Sequence, residues 1–366
     1  MLMLELLKYA ATHTPPAPGE RVVRSLEKAR HRQVQWVLDA GLGPLLHAAT
    51  HGQRERVPSA WRDLLLSTDL AARVRHGNLS DTANEILDVC QDNRVAVTLL
   101  KGISISEQHY PDPHLRPMGD IDILIPKDVY GPIESALLDR GYLRMTGYEL
   151  HDGAVHGTPL FHPTHRVWVE IHTALFGHAR RDGVFGPCHI SACSRDSTFG
   201  GRSVKRLTDE LQLLYLASSW AQDLSHYDVM SHPSGLPPLL DAVYLLKARG
   251  FALDCESLIG WRDDEMPLAS LYVMLSYLSR RGICAVQHLP LLASSQSIVG
   301  PSQCRIIHAI LDHYLVGGRR WNLPFPPPVP GRYSLRYQLR KHRPMERIMR
   351  KILGIVKDRG RRRGGS

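Results

Sequence analysis

One short run, Asp120 to Ile125, has isoleucine at every second position and aspartate at its first and third positions, and it constrains the fold more than any other part of the chain. Successive side chains of a β-strand point to opposite faces, so Ile121, Ile123 and Ile125 would share one face and Asp120 and Asp122 the other. A face of isoleucines must be covered by other apolar groups. The run therefore predicts one strand of a covered sheet that presents two carboxylates on its opposite face.

A second alternating run, Val167 to His172, predicts another strand of the same sheet. Its period of two places Trp168, Glu170 and His172 on one face, and the two valines and Ile171 on the other. Upstream, the apolar and β-branched run Val95 to Leu100 predicts a buried strand. Strands and helices alternate in this part of the chain, which indicates an α/β or α+β layer.

Helix signals surround and separate these strands. Asp81 is expected to be the N-cap of a helix that ends near residue 93, and Thr208 the N-cap of a later one. Residues 104–110 are expected to form one or two helical turns, and a helix from Lys127 should stop at Gly141, whose freedom to adopt positive φ suits a C-terminal cap. The proline-rich loop between them is expected to be irregular.

These patterns divide the chain into four parts. Residues 1–93 are predicted to be an N-terminal helical region, and residues 94–206 a core with strands. Residues 207–322 are predicted to be a second helical region, because apolar residues recur there at helical spacing. Residues 323–366 are predicted to be a proline-rich linker followed by a basic amphipathic tail.

Composition and charge narrow the class of protein. The hydrophobic fraction is 43% and the charged fraction 22%, as in ordinary globular proteins. No apolar run approaches the ~20 residues that cross a bilayer, and the start of the chain lacks a basic leader, so the protein is expected to be cytoplasmic. The six cysteines are expected to be reduced thiols. A zinc site formed by Cys188, His189 and Cys193 is a weak alternative because the spacing fits no common pattern.

Most of the net charge of +9 comes from the tail. From Arg332 onward, thirteen Lys or Arg residues face two acidic ones, so the rest of the chain is nearly neutral. A basic amphipathic helix can contact nucleic acid, an acidic membrane surface or an acidic partner protein. It can equally dock on its own domain with its charges in solvent.

The carboxylates suggest metal chemistry. Asp120 and Asp122 repel each other on one strand face unless a cation lies between them, and carboxylate oxygens are favoured by Mg²⁺. Glu170 on the second strand could complete a site for two metal ions and act as the base that activates an attacking hydroxyl. The alternative is a solvated pair of aspartates on a strand surface.

The turn after the first strand could hold phosphates. Lys101, Gly102 and Ser104 would offer an ammonium, backbone N–H groups and a hydroxyl near the start of a helix. Arg116 could add a second cation, and His172 could touch a phosphate or orient Glu170. The alternatives are that Lys101 lies in solvent, that Arg116 only locks its loop through a carboxylate, and that His172 is a structural residue.

The segment from Leu99 to Tyr142 resembles the family of uncharacterised nucleotidyltransferases within the polymerase-β superfamily. The resemblance lies in five features. They are a Leu-Lys-Gly turn (Leu99 to Gly102), a Tyr-Pro loop (Tyr110, Pro111), an Arg-Pro-x-x-Asp-x-Asp motif (Arg116, Pro117, Asp120, Asp122), an acid-x-His strand (Glu170, His172) and a Leu-x-Asp element (Leu239 to Ala242). One departure is that Lys101 and Gly102 replace the Gly-Ser pair that is usual at the phosphate turn.

The resemblance implies an α+β fold, with a polymerase-β-like core that contains a small mixed sheet between N- and C-terminal helical regions. It implies transfer of a nucleoside monophosphate from an NTP, with ATP favoured, to a hydroxyl or similar group of a small molecule or peptide. Mg²⁺, or Mn²⁺ in its place, would be held by Asp120, Asp122 and Glu170. A toxin-like enzyme that modifies RNA or protein and a non-catalytic nucleotide-binding or interaction module are the alternatives.

Overall fold

The computed structural model describes most of the chain up to residue 312, namely residues 2–12, 18–149, 154–176, 187–225, 235–254, 258, 265–284 and 301–312. The predicted linker and basic tail therefore lie outside the described residues, as do the side chains of Cys188 and His189. Within the described ranges the protein is α+β, with one seven-stranded mixed sheet and many helices.

Five helices precede the sheet, and the last of them is by far the longest. They are α1 (Leu2–Ala11), α2 (Pro18–Glu27), α3 (His31–Asp39), α4 (Gly43–Thr50) and α5 (Ser59–Asp92). Later helices are α6 (Lys101–His109), α7 (Tyr130–Asp139), α8 (Pro187–Ala192), α9 (Asp209–Ser225), α10 (Leu236–Ala248), α11 (Glu265–Arg280) and α12 (Pro301–Leu311). The start of α10 carries prolines in its first turn, where a missing N–H costs nothing.

The strands are β1 (Thr98–Leu99), β2 (Asp120–Leu124), β3 (Leu143–Arg144), β4 (Leu160–His162), β5 (Val167–His172), β6 (Ser194–Phe199) and β7 (Arg202–Leu207). Their spatial order is β3-β4-β5-β2-β1-β7-β6. The central strand β2 is parallel to β5 and antiparallel to β1, while β1 is parallel to β7. The sheet is therefore mixed, as predicted, and both acid-bearing strands lie near its middle.

The two faces of the sheet pack against different apolar clusters. Ile121 and Ile123 of β2 and Val169 of β5 are almost fully buried in one cluster, together with side chains of α5 and α7. On the other face, Leu124 packs against a larger cluster built from α1 to α4 and from α9 to α12. The apolar face predicted for Ile121, Ile123 and Ile125 is confirmed by their burial.

Three local expectations about helices and loops need correction. Asp81 is not an N-cap, because α5 runs without a break from Ser59 to Asp92. The strand expected over Val95–Leu100 pairs only at Thr98–Leu99. The proline-rich loop contains one turn of 3₁₀ helix at Pro113–Leu115, which the ring of Pro113 tolerates at its first position. Gly141 does end its helix, with φ of +93°.

The β6–β7 hairpin was not predicted, although its turn carries a recognisable signal. Gly200 and Gly201 connect the two strands and have φ of +54° and +79°. A two-residue Gly-Gly connection with both φ values positive is typical of tight hairpins. The flanking segments are rich in charged and hydroxyl residues because β6 lies at the edge of the sheet, so they lack the apolar alternation that marks a half-buried strand.

Two further expectations concern thiols and membranes. The cysteines whose side chains are described, Cys90, Cys193, Cys284 and Cys304, are free thiols. None of the helices in the described ranges has both the length and the apolar character that a membrane span requires.

Candidate active site

The acidic residues of β2 and β5 meet because the two strands run parallel in register. Asp122 lies directly beside Glu170 in the ladder, and His172 lies beside Leu124. Ligand atoms of Asp122, Glu170 and His172 all fall within 4.8 Å of one another. Within the described part of the chain, these three residues are the potential metal ligands that the structure brings together as a group.

His172 connects the two carboxylates of this acidic cluster, which we define as Asp122, Glu170 and His172. Its Nε2 atom is 2.8 Å from Oδ1 of Asp122 and 3.6 Å from Oε2 of Glu170. The imidazole is almost fully buried. The two carboxylates raise the pKa of His172 above its usual value, although burial opposes this. Sequence reasoning placed His172 among the nucleotide contacts, whereas the structure places it among the potential metal ligands.

Asp120 lies at the edge of the cluster and is not one of its three members. Burial and the neighbouring carboxylates of Asp122 and Glu170 raise the pKa of Asp120 to about 6. For Asp122, burial also favours the neutral form, but Lys101 and His172 outweigh it and hold the pKa of Asp122 below its usual range. The pKa of Asp120 is thus raised and that of Asp122 lowered, although both lie on one strand face. Such opposite shifts are a frequent feature of functional sites. The metal-binding role of Asp120 stays a prediction.

Lys101 contributes the cation of the site. Its Nζ atom is 2.8 Å from Oδ1 of Asp122, and its side chain is 23% exposed. It lies 5.8 Å from the ring centroid of Tyr215 in α9. The backbone φ of Lys101 is +41°, in a region that residues other than glycine adopt at a cost of about 1–3 kcal/mol. Lys101 is therefore not a strand-end lysine in open solvent.

The donor set fits one divalent cation. Adjacent ligands of an octahedral ion, each about 2.1 Å from the metal, are separated by roughly 3 Å. The separations from Nε2 of His172 to the two carboxylates are 2.8 Å and 3.6 Å. The shorter one is a hydrogen bond to Asp122, so the imidazole would have to lose that proton to bind an ion. Two carboxylates and one imidazole suit Mg²⁺ less well than Mn²⁺ or another first-row ion, since imidazole is a ligand preferred by transition metals.

Sequence reasoning missed two neighbours of the cluster. His156 forms an isolated β-bridge with His172, and its Nε2 atom is 3.9 Å from Oε2 of Glu170. The hydroxyl of Tyr148 is 3.5 Å from the same nitrogen. Both residues lie outside any regular alternation, so no periodic signal marks them.

The predicted phosphate turn has a free helix start but a buried serine. The N-cap residue of α6, Leu100, has no side-chain cap hydrogen bond, so the first backbone N–H groups of the helix have no side-chain partner there. Ser104 is fully buried, and its hydroxyl accepts a hydrogen bond from Gln108. Gly102 is required for packing, because a Cβ atom there would collide with the Arg116 guanidinium and lie 3.0 Å from Cγ of Met118. The contacts predicted from Gly102 and Ser104 to a nucleotide stay predictions.

Arg116 belongs to a buried network that joins the core to the C-terminal helices. Its Nη2 atom donates to Oδ2 of Asp241 at 2.8 Å, and its Nε atom donates to Oδ1 at 3.2 Å. The hydroxyl of Tyr110 also donates to Oδ1, at 2.8 Å. Asp241 in α10 is fully buried. Arg116 thus locks its loop through a carboxylate, the alternative that the sequence left open, and its contact with a nucleotide stays a prediction.

A comparison with protein families agrees with this arrangement. A family model described as "Uncharacterised nucleotidyltransferase" matches residues 28–277, which is more than half of the chain. The matched part contains the whole sheet, the acidic cluster and the Tyr110–Arg116–Asp241 network. A comparison with curated proteins gave no match.

Proposed function

Because the chain belongs to the family of uncharacterised nucleotidyltransferases, we propose that it transfers a nucleoside monophosphate from an NTP to a hydroxyl or similar group on a small molecule or peptide. The observation that carries this proposal is the meeting of Asp122, Glu170 and His172 beside Lys101. The acidic cluster lies near the start of α6, which has no side-chain cap. Carboxylates that can bind a metal ion, together with a helix N-terminus, suit a metal-bound polyphosphate.

We also propose that the sheet is of the polymerase-β type, with two acids on one strand and a third acid on its parallel neighbour. The fourfold division into residues 1–93, 94–206, 207–322 and 323–366 belongs to the same proposal. The helical regions would shape the acceptor pocket, and ATP is the favoured NTP.

Metal ions would be held by Asp122, Glu170 and His172, with Asp120 at the edge. Bound Mg²⁺ or Mn²⁺ would supply electrostatic stabilisation of the charge that develops on the phosphoryl oxygens. Lys101 provides a fixed positive charge for the phosphates, and the N–H groups at the start of α6 add partial positive charge. Because these groups are positioned before substrate binds, little reorganisation is needed in the transition state.

Glu170 would accept the proton of the acceptor hydroxyl. Its side chain is 25% exposed, whereas that of Asp122 is 4% exposed, so Glu170 is the acid that an incoming acceptor can reach. Although burial opposes it, the neighbouring imidazole of His172 lowers the pKa of Glu170, so the carboxylate is ionised at neutral pH. The acceptor oxygen then forms a bond to the α-phosphorus, the bond to pyrophosphate breaks, and the hydroxyl proton moves to Glu170.

The test is pyrophosphate release from each labelled NTP in the presence of Mg²⁺ or Mn²⁺ and a cell extract. Asp122→Asn should lower release by at least about a hundredfold, because it removes a charge shared by the metal site and Lys101. Asp128→Asn is the matched control, since Asp128 is exposed in the turn before α7. Equal labelling by wild type and Asp122→Asn would refute the mechanism.

A further inference from the structure

A cavity of about 290 Å³ lies between the N-terminal helices and the segment that leads into β2. Its walls are largely apolar and include Leu38, Pro44, Ala72, Leu79 and Met118. Its volume is at the lower end of the range for ligand pockets, about 300–1,000 Å³. The cavity is therefore large enough for one aliphatic or aromatic group and too small for a whole nucleoside triphosphate.

The polar part of the lining has one sign of charge. No aspartate or glutamate is found among the described residues that line the cavity, whereas two arginines and two histidines are. Three of these four basic side chains already face a carboxylate, in the pairs Arg116–Asp241, His114–Asp69 and His76–Glu107. The charge of Arg116 is therefore compensated within the protein, and each of the two histidines already has a carboxylate partner.

Arg75 differs from the other three. Its guanidinium donates to the carbonyl oxygens of Met118 at 3.2 Å, Gly119 at 2.7 Å and Arg166 at 2.9 Å. These acceptors carry no net charge, and among the described residues Arg75 forms no ion pair. A guanidinium has five N–H groups, so two remain after these three bonds. Arg75 thus lines the apolar cavity and carries a positive charge that no carboxylate among the described residues pairs with.

The cavity is also close to the acidic cluster. Met118 precedes Asp120 by two residues, which corresponds to at most about 7 Å of chain. Arg116 lines the cavity and is near enough to Asp120 to oppose the rise in the pKa of that carboxyl group. The segment that lines the cavity therefore leads directly into the start of β2, where the first of the acids lies.

We propose that this cavity binds the acceptor through an apolar group that bears a carboxylate, with the carboxylate paired to Arg75. The name acceptor rests on the proposed nucleotidyl transfer, whereas the ligand class rests on the cavity alone. The nucleotide is a poor occupant, because it brings several negative charges and a polar base to a site with one uncompensated cation and apolar walls. The acceptor class is thus an amphipathic organic acid of small size.

The test uses the full chain and three probes with the same apolar tail: octanoate, octanol and octylamine. Isothermal titration should show that octanoate binds about tenfold more tightly than octanol, as expected for one charge-assisted hydrogen-bonded pair. Octylamine should bind more weakly still. Equal affinity for the three probes, or no binding of octanoate, would overturn the proposal.

Two variants locate the binding. Ala72→Phe should fill the cavity and lower octanoate affinity at least about tenfold, whereas Ala60→Phe, on the exposed surface of the same helix, should not change it. Arg75→Gln should abolish the preference for octanoate over octanol. If Ala72→Phe bound octanoate as tightly as wild type, the cavity would not be the site.

Two further titrations separate this proposal from the proposed function. Asp122→Asn should bind octanoate as wild type does, so the cavity is tested even if no nucleotidyl transfer is found. ATP and octanoate should bind together, each changing the affinity of the other by less than about threefold. Displacement of octanoate by ATP would assign the cavity to the nucleotide and refute the acceptor assignment.

Discussion

Replacing Asp241 by asparagine tests whether the buried Tyr110–Arg116–Asp241 network holds the core against the C-terminal helices. The carboxylate is fully buried and accepts hydrogen bonds from Tyr110 and Arg116. In Asp241→Asn the guanidinium of Arg116 keeps its charge but loses its counter-ion. Removing one partner of a buried ion pair costs about 3–5 kcal/mol, which is a large part of the about 5–15 kcal/mol that stabilises most proteins.

The contribution of Tyr110 can be separated from that of Arg116. Tyr110→Phe removes one hydrogen bond to a charged acceptor, so we expect a loss of about 1.5–3 kcal/mol. The double variant Arg116→Met with Asp241→Leu removes both charges and fills the space with apolar groups. It should therefore be less destabilised than the sum of its single variants, by about 2 kcal/mol or more.

The assay is urea unfolding followed by circular dichroism, with the free energy of unfolding obtained by linear extrapolation. Asp139→Asn is the matched control, because Asp139 is exposed at the end of α7 and should change stability by less than about 0.5 kcal/mol. The reasoning fails if Asp241→Asn is within about 1 kcal/mol of wild type. It also fails if the double variant is as unstable as the two single changes added together.

Three further predictions concern the acidic cluster and its surroundings. His172→Asn should lower Mn²⁺ affinity by about 10–100-fold and Mg²⁺ affinity less, because it removes an imidazole ligand; an equal loss for both ions in calorimetric titrations would exclude coordination by the ring. Mn²⁺ should bind more weakly as the pH falls through about 6, since Asp120, with its pKa raised to about 6, and His172, whose pKa is raised above its usual value, then hold protons that compete with the cation; electron paramagnetic resonance of free Mn²⁺ would show a flat profile if this were wrong. Gly102→Ala should destabilise the protein by about 1–3 kcal/mol because the methyl group collides with Arg116, while Gly131→Ala, where a Cβ atom meets open space, should not.

The acid-bearing strands could be predicted from the sequence because their patterns are local. In β2 and β5 an alternation of period two records directly which side chains are buried, and the burial of Ile121, Val169 and Ile171 follows it. Most residues that carry the family resemblance also lie within one short segment, from Leu99 to Tyr142. The hairpin of β6 and β7 lacks this pattern because it forms the edge of the sheet, and only its Gly-Gly turn could have marked it.

The partners of the site residues that lie outside the two acid-bearing strands could not be predicted, because they are distant in sequence. Arg116 and Asp241 are separated in sequence by most of the core and by α9. No pattern in either segment indicates that the two side chains are in contact. The same holds for His156, which reaches His172 through an isolated bridge. Arg75 is an arginine in a long helix, and only the fold shows that it contacts the segments before both acid-bearing strands.

The network also changes how the charge of the site is understood. The motif that contains Arg116 and the two aspartates is continuous in sequence, but the charge of Arg116 is compensated by Asp241. With His172 neutral, as a metal ligand must be, the ionised side chains of Asp120, Asp122 and Glu170 carry three negative charges, and Lys101, the lysine paired with Asp122, supplies one positive charge. The remaining two negative charges equal the charge of one divalent cation, and a bound cation would favour the ionised form of Asp120, whose pKa is raised to about 6 without it. If the proposed nucleotidyl transfer holds, this charge balance implies that one metal ion would neutralise the protein groups and that a second ion would bind together with the negatively charged substrate phosphates.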